Sequence, residues 1–210
     1  LKRFQLTYEE FNKLSSIAME NGIMFLSTPF DIESALFLND ILPAFKIASS
    51  DNNFFPLIEV IAKTGKPIIL STGLMNLNEV KITVSYIKKI WSDFSINQNL
   101  ALLHCVSSYP THNKDANISA IKDLNSLVKT VGYSDHTIGL DAAILSIALG
   151  ARIVEKHFTV DNNFSSFHDH KISLNPNHFK KLVKKIRNAE LILEGKGKIP
   201  SLSEEKNKVN

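Results

Sequence analysis

Short apolar runs alternate with longer stretches of helical spacing along almost the whole chain, and this alternation limits the fold more than any other feature. The runs are Ile23 to Ser27, Ala44 to Ala48, Pro67 to Leu70, Leu100 to Val106, Thr130 to Tyr133 and Arg152 to Phe158. They are apolar on both faces, as strands of a parallel sheet covered by helices must be. Around them, the spacing predicts helices over Tyr8 to Glu20, Ile32 to Asp40, Phe54 to Lys63, Leu77 to Phe94, Ile118 to Val128, Asp141 to Leu149 and Pro176 to Leu193. Thr7 with Glu10 and Asn76 with Glu79 read as capping boxes, and Asn175-Pro176 as an N-cap followed by an N1 proline. Gly22, Gly65, Gly150 and Gly195 stand where C-terminal caps belong.

Two architectures satisfy that pattern, a doubly wound open sheet and a closed (β/α)8 barrel. The first needs Gly-x-Gly-x-x-Gly at its opening strand-to-helix turn when it binds a dinucleotide, and neither that motif nor a Walker A loop occurs. Polar residues instead follow each apolar run: Thr28; then Lys46, Ser49, Ser50 and Asp51; then Ser71 and Thr72. Later runs end in His104, Ser107 and Tyr109, in Ser134, Asp135 and His136, and in Glu155, Lys156 and His157. Chemistry donated from one end of every strand is the mark of a barrel. A complete barrel has eight strands over about 250 residues, so the six runs here imply an incomplete one, short of its first two strands. Residues 1–198 are read as the partial barrel and 199–210 as the start of a linker.

The chain's 210 residues, 44% apolar and 21% charged, are enough for one sizeable core. A single cysteine excludes an internal disulfide. No apolar run approaches the ~20 residues of a membrane span, and Leu1-Lys2-Arg3 is not followed by a secretory apolar stretch. These features predict a cytoplasmic protein that does not engage membranes. The net charge of +3 is concentrated late: from residue 171 onward there are ten Lys or Arg against four Glu. Lys180, Lys181, Lys184, Lys185 and Arg187 alternate with Phe179, Leu182, Val183 and Ile186, which makes them the wet face of one helix. Without interleaved aromatic residues they do not form a nucleic-acid platform.

Within the strand ends, alternate residues share a face, so Ser134 groups with His136 and Glu155 with His157. Two imidazoles on neighbouring strands, with carboxylates nearby, suit a divalent metal that keeps open positions. His168 and His170 are expected at the surface or behind the ligands, and His112 and His178 at the periphery. Lys46 interrupts an apolar strand and needs an anionic partner, either Asp51, Glu155 or a substrate. Hydroxyls at Thr28, Ser49, Ser71 and Ser134 suit phosphate or carboxylate, whereas Arg3, Arg152 and Arg187 all lie away from the strand ends in question. Cys105 is adjacent to His104, but neighbouring strand residues face opposite ways, so packing is its expected role.

At these residues the sequence resembles the sialic acid synthase family, whose members make N-acetylneuraminate and the related legionaminate and pseudaminate. The matching stretches are Phe25-Leu26-Ser27-Thr28-Pro29-Phe30-Asp31, Lys46-Ile47-Ala48-Ser49-Ser50-Asp51 and Gly65-Lys66-Pro67-Ile68-Ile69-Leu70-Ser71-Thr72-Gly73. Leu103-His104-Cys105-Val106-Ser107-Ser108-Tyr109-Pro110-Thr111, Gly132-Tyr133-Ser134-Asp135-His136-Thr137 and the segment from Ala148 to Phe158 continue the order. The resemblance implies condensation of phosphoenolpyruvate with an N-acetylated amino sugar aldehyde, giving a nine-carbon 2-keto acid and phosphate. It implies His136 and His157 as ligands of manganese, and Lys46, Thr28, Ser49, Ser71 and Ser134 as phosphoenolpyruvate contacts. Ser107, Tyr109 and Asp169 correspond to sugar-side positions. Asp51, standing where well-known members have glutamate, corresponds to the base that handles the attacking water, with Glu155 as its substitute.

The resemblance also implies two preceding strands, a trailing antifreeze-like domain and a homodimeric parent, and hence that this stretch alone is inactive. Asn162-Asn163-Phe164-Ser165-Ser166-Phe167-His168 replaces a Met-Pro-Gly-Pro run of the family. The competing readings are another phosphoenolpyruvate-dependent keto-deoxy sugar acid synthase, which calls for an arginine-rich phosphate site, and a truncated remnant with a scaffold role.

Overall fold

The computed structural model describes residues 5–167, 169–195, 197–205 and 207. His168 and Arg3 lie outside them. Five parallel strands form one sheet in sequential order: β1 (Phe45–Ile47), β2 (Ile68–Ser71), β3 (Leu100–Cys105), β4 (Thr130–Asp135) and β5 (Ile153–Lys156). The sheet curls into a half-barrel with helices on its convex side. In chain order the helices are α1 (Tyr8–Glu20), α2 (Ile32–Leu38), α3 (Phe55–Lys63), α4 (Leu77–Asp93), α5 (Ile121–Asn125), α6 (Asp141–Ala148), α7 (Asp169–Ile172), α8 (Pro176–Leu193) and α9 (Leu202–Glu205), the short α7 and α9 not being part of that layer. The incomplete (β/α)8 barrel expected from sequence is therefore the observed fold, with one correction to its strand count. Ile23 to Ser27 joins no ladder. Its side chains explain why: Ile23 and Met24 remain 65% and 67% exposed, so the apolar run lies along the open edge beside β1 without a strand to pair with.

One alternate face of every strand packs on the helices. Phe45, Ile47, Ile68, Leu70, Leu100, Leu102, Val131 and Tyr133 join Leu57, Ile58, Ile61, Val84 and Ile87 in a single core. Fully burying each such aliphatic side chain stabilises the fold by about 1.5–3 kcal/mol. The opposite face turns inward, where β4 needs a glycine. A Cβ on Gly132 would stand 2.3 Å from the Ile153 carbonyl oxygen and 2.5 Å from Leu103 Cδ2.

The local signals act as the sequence implies. Both capping boxes form, at Thr7/Glu10 and Asn76/Glu79, and the Asn175 side chain accepts from the His178 amide. Gly22, Gly65 and Gly150 take positive φ after their helices, whereas Gly195 does not. At the end of α2, Lys66 Nζ reaches the carbonyls of Asn39 and, at 2.7 Å, Leu42. The predicted helix from Ile118 to Val128 is broken into a 3-10 turn, Ile118–Ala120, and the short α5. Asn117 before it sits at φ 42°, which turns the chain sharply enough to tighten the first turn. The lysines of α8 are exposed and only Leu182 is buried there. Residues 202–205, expected in a linker, form α9.

Candidate active site

The inward face and the loops after β1 to β5 enclose a cavity of about 530 Å³. Its lining brings together Thr28, Lys46, Ser49, Ser71, Ser107, Tyr109, Ser134, His136, Glu155 and His157, all named from the sequence. Strand register does most of this work. Cys105 pairs with Ser134 and Ser134 with Glu155, which puts three side chains in one layer of the barrel interior.

Charge in this layer is organised around Glu155. Its Oε1 accepts a 2.6 Å hydrogen bond from Ser134 Oγ, and its Oε2 lies 3.6 Å from Lys46 Nζ. Lys46 also donates to its neighbour's carbonyl at Ile47, 3.0 Å away. The Lys46 side chain is only 10% exposed. Burial pushes its pKa down, and the Glu155 carboxylate opposes that shift. Of the two carboxylate partners open to Lys46 in the sequence, the structure selects Glu155.

Hydroxyls gather opposite, around the backbone after β2. Ser49 Oγ accepts from the Gly73 amide at 3.1 Å, and Asn52, itself buried, donates to the carbonyls of Ser71 and Gly73. A Cβ on Gly73 would meet Ser107 Oγ at 2.4 Å and Ser49 Oγ at 2.6 Å. Ser71 Oγ is buried without a hydrogen-bond partner. A buried hydroxyl left so is a natural place for a ligand oxygen.

The two histidines stand with ring centroids 5.4 Å apart, flanked by Tyr109 at 4.1 Å from the His136 ring and 5.7 Å from that of His157. His136 Nδ1 is 2.8 Å from the Val106 carbonyl, which makes Nδ1 the protonated nitrogen and leaves Nε2 with its lone pair. A metal-bound imidazole is oriented in the same way. Burial disfavours the His136 imidazolium, but contacts with Cys105 and the Val106 carbonyl and the charge of Glu155 hold its pKa above the ordinary value. His157 goes the other way: burial lowers its pKa, outweighing Asp169, whose Oδ2 is 3.9 Å from Nδ1. Burial, with the surrounding negative groups, raises the Tyr109 phenol, which stays protonated.

As a donor set this fits a divalent cation held by two imidazoles, its other positions filled by solvent or substrate oxygens. Among the described residues no group of three or more His, Cys, Asp or Glu side chains is placed to hold a metal ion, so the two imidazoles would need solvent or substrate oxygens to complete the site.

Several expectations shift. Asp51 is not among the lining residues; its Oδ2 accepts from Ser50 Oγ at 2.6 Å in the turn after β1. Asp169 also lies outside the lining; its Oδ2 stands 3.9 Å from His157 Nδ1, and its charge helps to raise the Tyr109 phenol. Cys105, expected to be packing, lines the cavity with Sγ 3.9 Å from His136 Nδ1. Burial raises its thiol pKa, but hydrogen bonds with His136, Ser49 and Ser134 outweigh this and leave it below the ordinary value. His104 faces the other way, bonded to the Ala116 carbonyl at 2.9 Å and stacked on Tyr133. Asp135 and Lys156 likewise turn away from the cavity and pair with each other at 2.8 Å. His170 bonds to Thr159 Oγ1 through Nδ1 at 2.8 Å, and His112 and His178 are exposed.

A model of the NeuB family matches residues 1–198. The chain belongs to that family. An uncharacterized protein of Methanocaldococcus jannaschii is 46% identical, the match covering 97% of this chain and 59% of that protein. The N,N'-diacetyllegionaminic acid synthase of Campylobacter jejuni is 40% identical over 99% of this chain and 61% of its own length. The crystal structure of N-acetylneuraminic acid synthetase from Leptospira borgpetersenii, in complex with citrate, superposes with a TM-score of 0.89 at 36% identity. That match covers 97% of this NeuB-family chain and 70% of the crystallised one. The chain thus spans about three-fifths of the length of the curated relatives. Among the described residues no helix is long and apolar enough to cross a membrane.

Proposed function

We propose that this chain is the barrel portion of a nonulosonic acid synthase, which condenses phosphoenolpyruvate with an N-acetylated amino sugar aldehyde such as N-acetylmannosamine. The observation that carries the reading is one cavity holding the buried Lys46, the unpartnered hydroxyl of Ser71 and the His136–His157 pair. Those groups divide into an anion half and an electrophile half, which is what joining an enol phosphate to an aldehyde requires.

On the anion side, Lys46 offsets phosphate charge while Ser49, Ser71 and the Gly73 backbone present hydroxyls and a close-approach surface. On the other side, His136 and His157 hold a divalent cation, manganese in this reading. Such a cation, when bound, supplies a Lewis acid for the aldehyde oxygen. Tyr109 packs against both rings and keeps them in place. C3 of the enol attacks the aldehyde carbon, a water adds at C2, and phosphate departs from the tetrahedral intermediate. Glu155 takes the proton of that water in preference to Asp51, because Glu155 is in the cavity and Asp51 is not. The hydrogen bond from Ser134 Oγ and the nearby Lys46 ammonium orient the Glu155 carboxylate.

The experiment is a phosphate-release assay on the chain in its complete reading frame, with phosphoenolpyruvate, Mn2+ and a panel of N-acetylated hexosamines and their diamino-trideoxy analogues. Release with one of these sugars, lost in Lys46→Met, is the expected result. No release with any of them overturns the reading.

A further inference from the structure

Asp135 and Lys156 interleave with the two histidines in sequence yet touch none of the cavity. β4 and β5 pair in the register Ser134 to Glu155 and Asp135 to Lys156. Beyond that last rung, Lys156 Nζ donates to Asp135 Oδ2 at 2.8 Å and to the Thr137 carbonyl. Asp135 Oδ1 accepts from the Thr137 amide at 2.7 Å. The residues on both sides of His136 are thereby tied to the residue that precedes His157.

The rest of the anchoring splits into two separate sets. His136 is fixed from the β3 side, by Nδ1 on the Val106 carbonyl and by its own carbonyl, which accepts from the Thr111 amide at 3.0 Å. His157 is fixed from the far side, where its carbonyl accepts from the Leu174 amide at 2.8 Å. The Lys156 ammonium links these two sets from the face away from the cavity, as Tyr109 and the Ser134–Glu155 bond do from within it. Its side chain is 1% exposed and that of Asp135 is 0% exposed. Buried ion pairs of this kind are rarely better for stability than apolar residues of the same shape. What they add is direction, because charge-assisted bonds hold distance and angle more tightly than apolar contact does.

We infer that Asp135 and Lys156 are positioning residues, which set the separation of His136 and His157 for a divalent cation. The inference rests on the metal reading given above and extends it from the ligands to the strand ends that carry them. Partners one step behind metal ligands commonly change affinity by about 10–100-fold when removed.

The test is Mn2+ titration of the full 210-residue chain, followed by the electron paramagnetic resonance signal of free Mn2+, alongside thermal unfolding. Lys156→Met alone strands a buried carboxylate, so the informative variant is the apolar pair Asp135→Leu/Lys156→Met. It is expected to unfold within a few degrees of the parent and to bind Mn2+ at least about tenfold more weakly. Asp135→Asn, which still accepts the Thr137 amide, gives the second reading: affinity falls severalfold while folding is retained. A folded double variant and a folded Asp135→Asn that both bind Mn2+ like the parent, when His136→Ala does not bind it, would overturn the positioning role and leave the metal reading standing. A parent that does not bind Mn2+, or binds it no better than His136→Ala does, removes both.

Discussion

On the inward face of β4 and β5, Ser134, His136, Glu155 and His157 line a wet cavity; on the outward face, Asp135 and Lys156 are sealed from water. Both faces carry ionisable groups, so composition does not separate them. Solvent does. Glu155 is 44% exposed at its side chain and pairs loosely with Lys46 at 3.6 Å, leaving it able to exchange partners with a ligand. Asp135 and Lys156 are closed on each other and on the Thr137 backbone. The inward face is poised for chemistry and the outward face holds the strands.

The largest effect that would break this comparison comes from unpairing the outward face. Lys156→Met alone is expected to cost about 3–5 kcal/mol, because it leaves the Asp135 carboxylate buried without its partner. Urea unfolding measures it. Glu155→Gln on the inward face should cost less than that, because Glu155 is 44% exposed and its contact with the buried Lys46 ammonium is a loose 3.6 Å.

Next comes Gly132→Ala, expected to cost about 1–3 kcal/mol or more by overpacking. The nearest atom to the added methyl is a main-chain oxygen of β5, which moves only if the β4–β5 ladder opens. A thermal midpoint equal to the parent's would contradict the close approach.

His136→Ala should be milder for the fold, at about 1 kcal/mol for the lost bond to the Val106 carbonyl. Mn2+ affinity in the same variant should fall at least about tenfold. Calorimetric titration and thermal unfolding on one sample separate the two quantities.

The smallest expected effect is a pH dependence of opposite sign at two histidines. Burial lowers the pKa of His104, outweighing the Ala116 carbonyl, so the folded state binds fewer protons there than the unfolded chain. Its contribution is present above the unfolded value of about 6.5 and is lost as pH falls through the lower, folded value. His136 has a raised pKa; its contribution is present below about 6.5 and is lost as pH rises through the folded value. His104→Gln should therefore flatten the acid side of the stability curve, and His136→Ala the neutral side. Urea midpoints from pH 5 to 8 would show both slopes; identical profiles for the two variants would refute the assignment.

Much of this was legible in the sequence, and the failures share a cause. Both capping boxes, the exact span of α8 and nearly every cavity residue follow from local spacing, which needs no knowledge of neighbours. The parity of strand residues is equally local, but its phase is not. That His104 and Cys105 face opposite ways was readable; that the cysteine faces the cavity depends on which way the sheet curls. Asp51 falls outside the cavity lining for a related reason: it ends the tight 3-10 turn after β1, Ser49–Asp51, where its carboxylate accepts from Ser50 Oγ. Ile23 to Ser27 has the composition of a strand, and a ladder partner is the one thing composition cannot supply. The Asp135–Lys156 pair was visible as two polar residues, though not as a pair, because the register that matches them is tertiary.

The bare backbone at Gly73 has a consequence for how this cavity can diversify. The main chain has no rotamers, so the wall between Ser49 and Ser107 cannot be resized by small adjustments. Any side chain there would displace both hydroxyls together. Variation in what the cavity accepts is thereby channelled to its rim, at half-exposed Tyr109 and beyond His157, where exchanging one side chain leaves the floor unchanged.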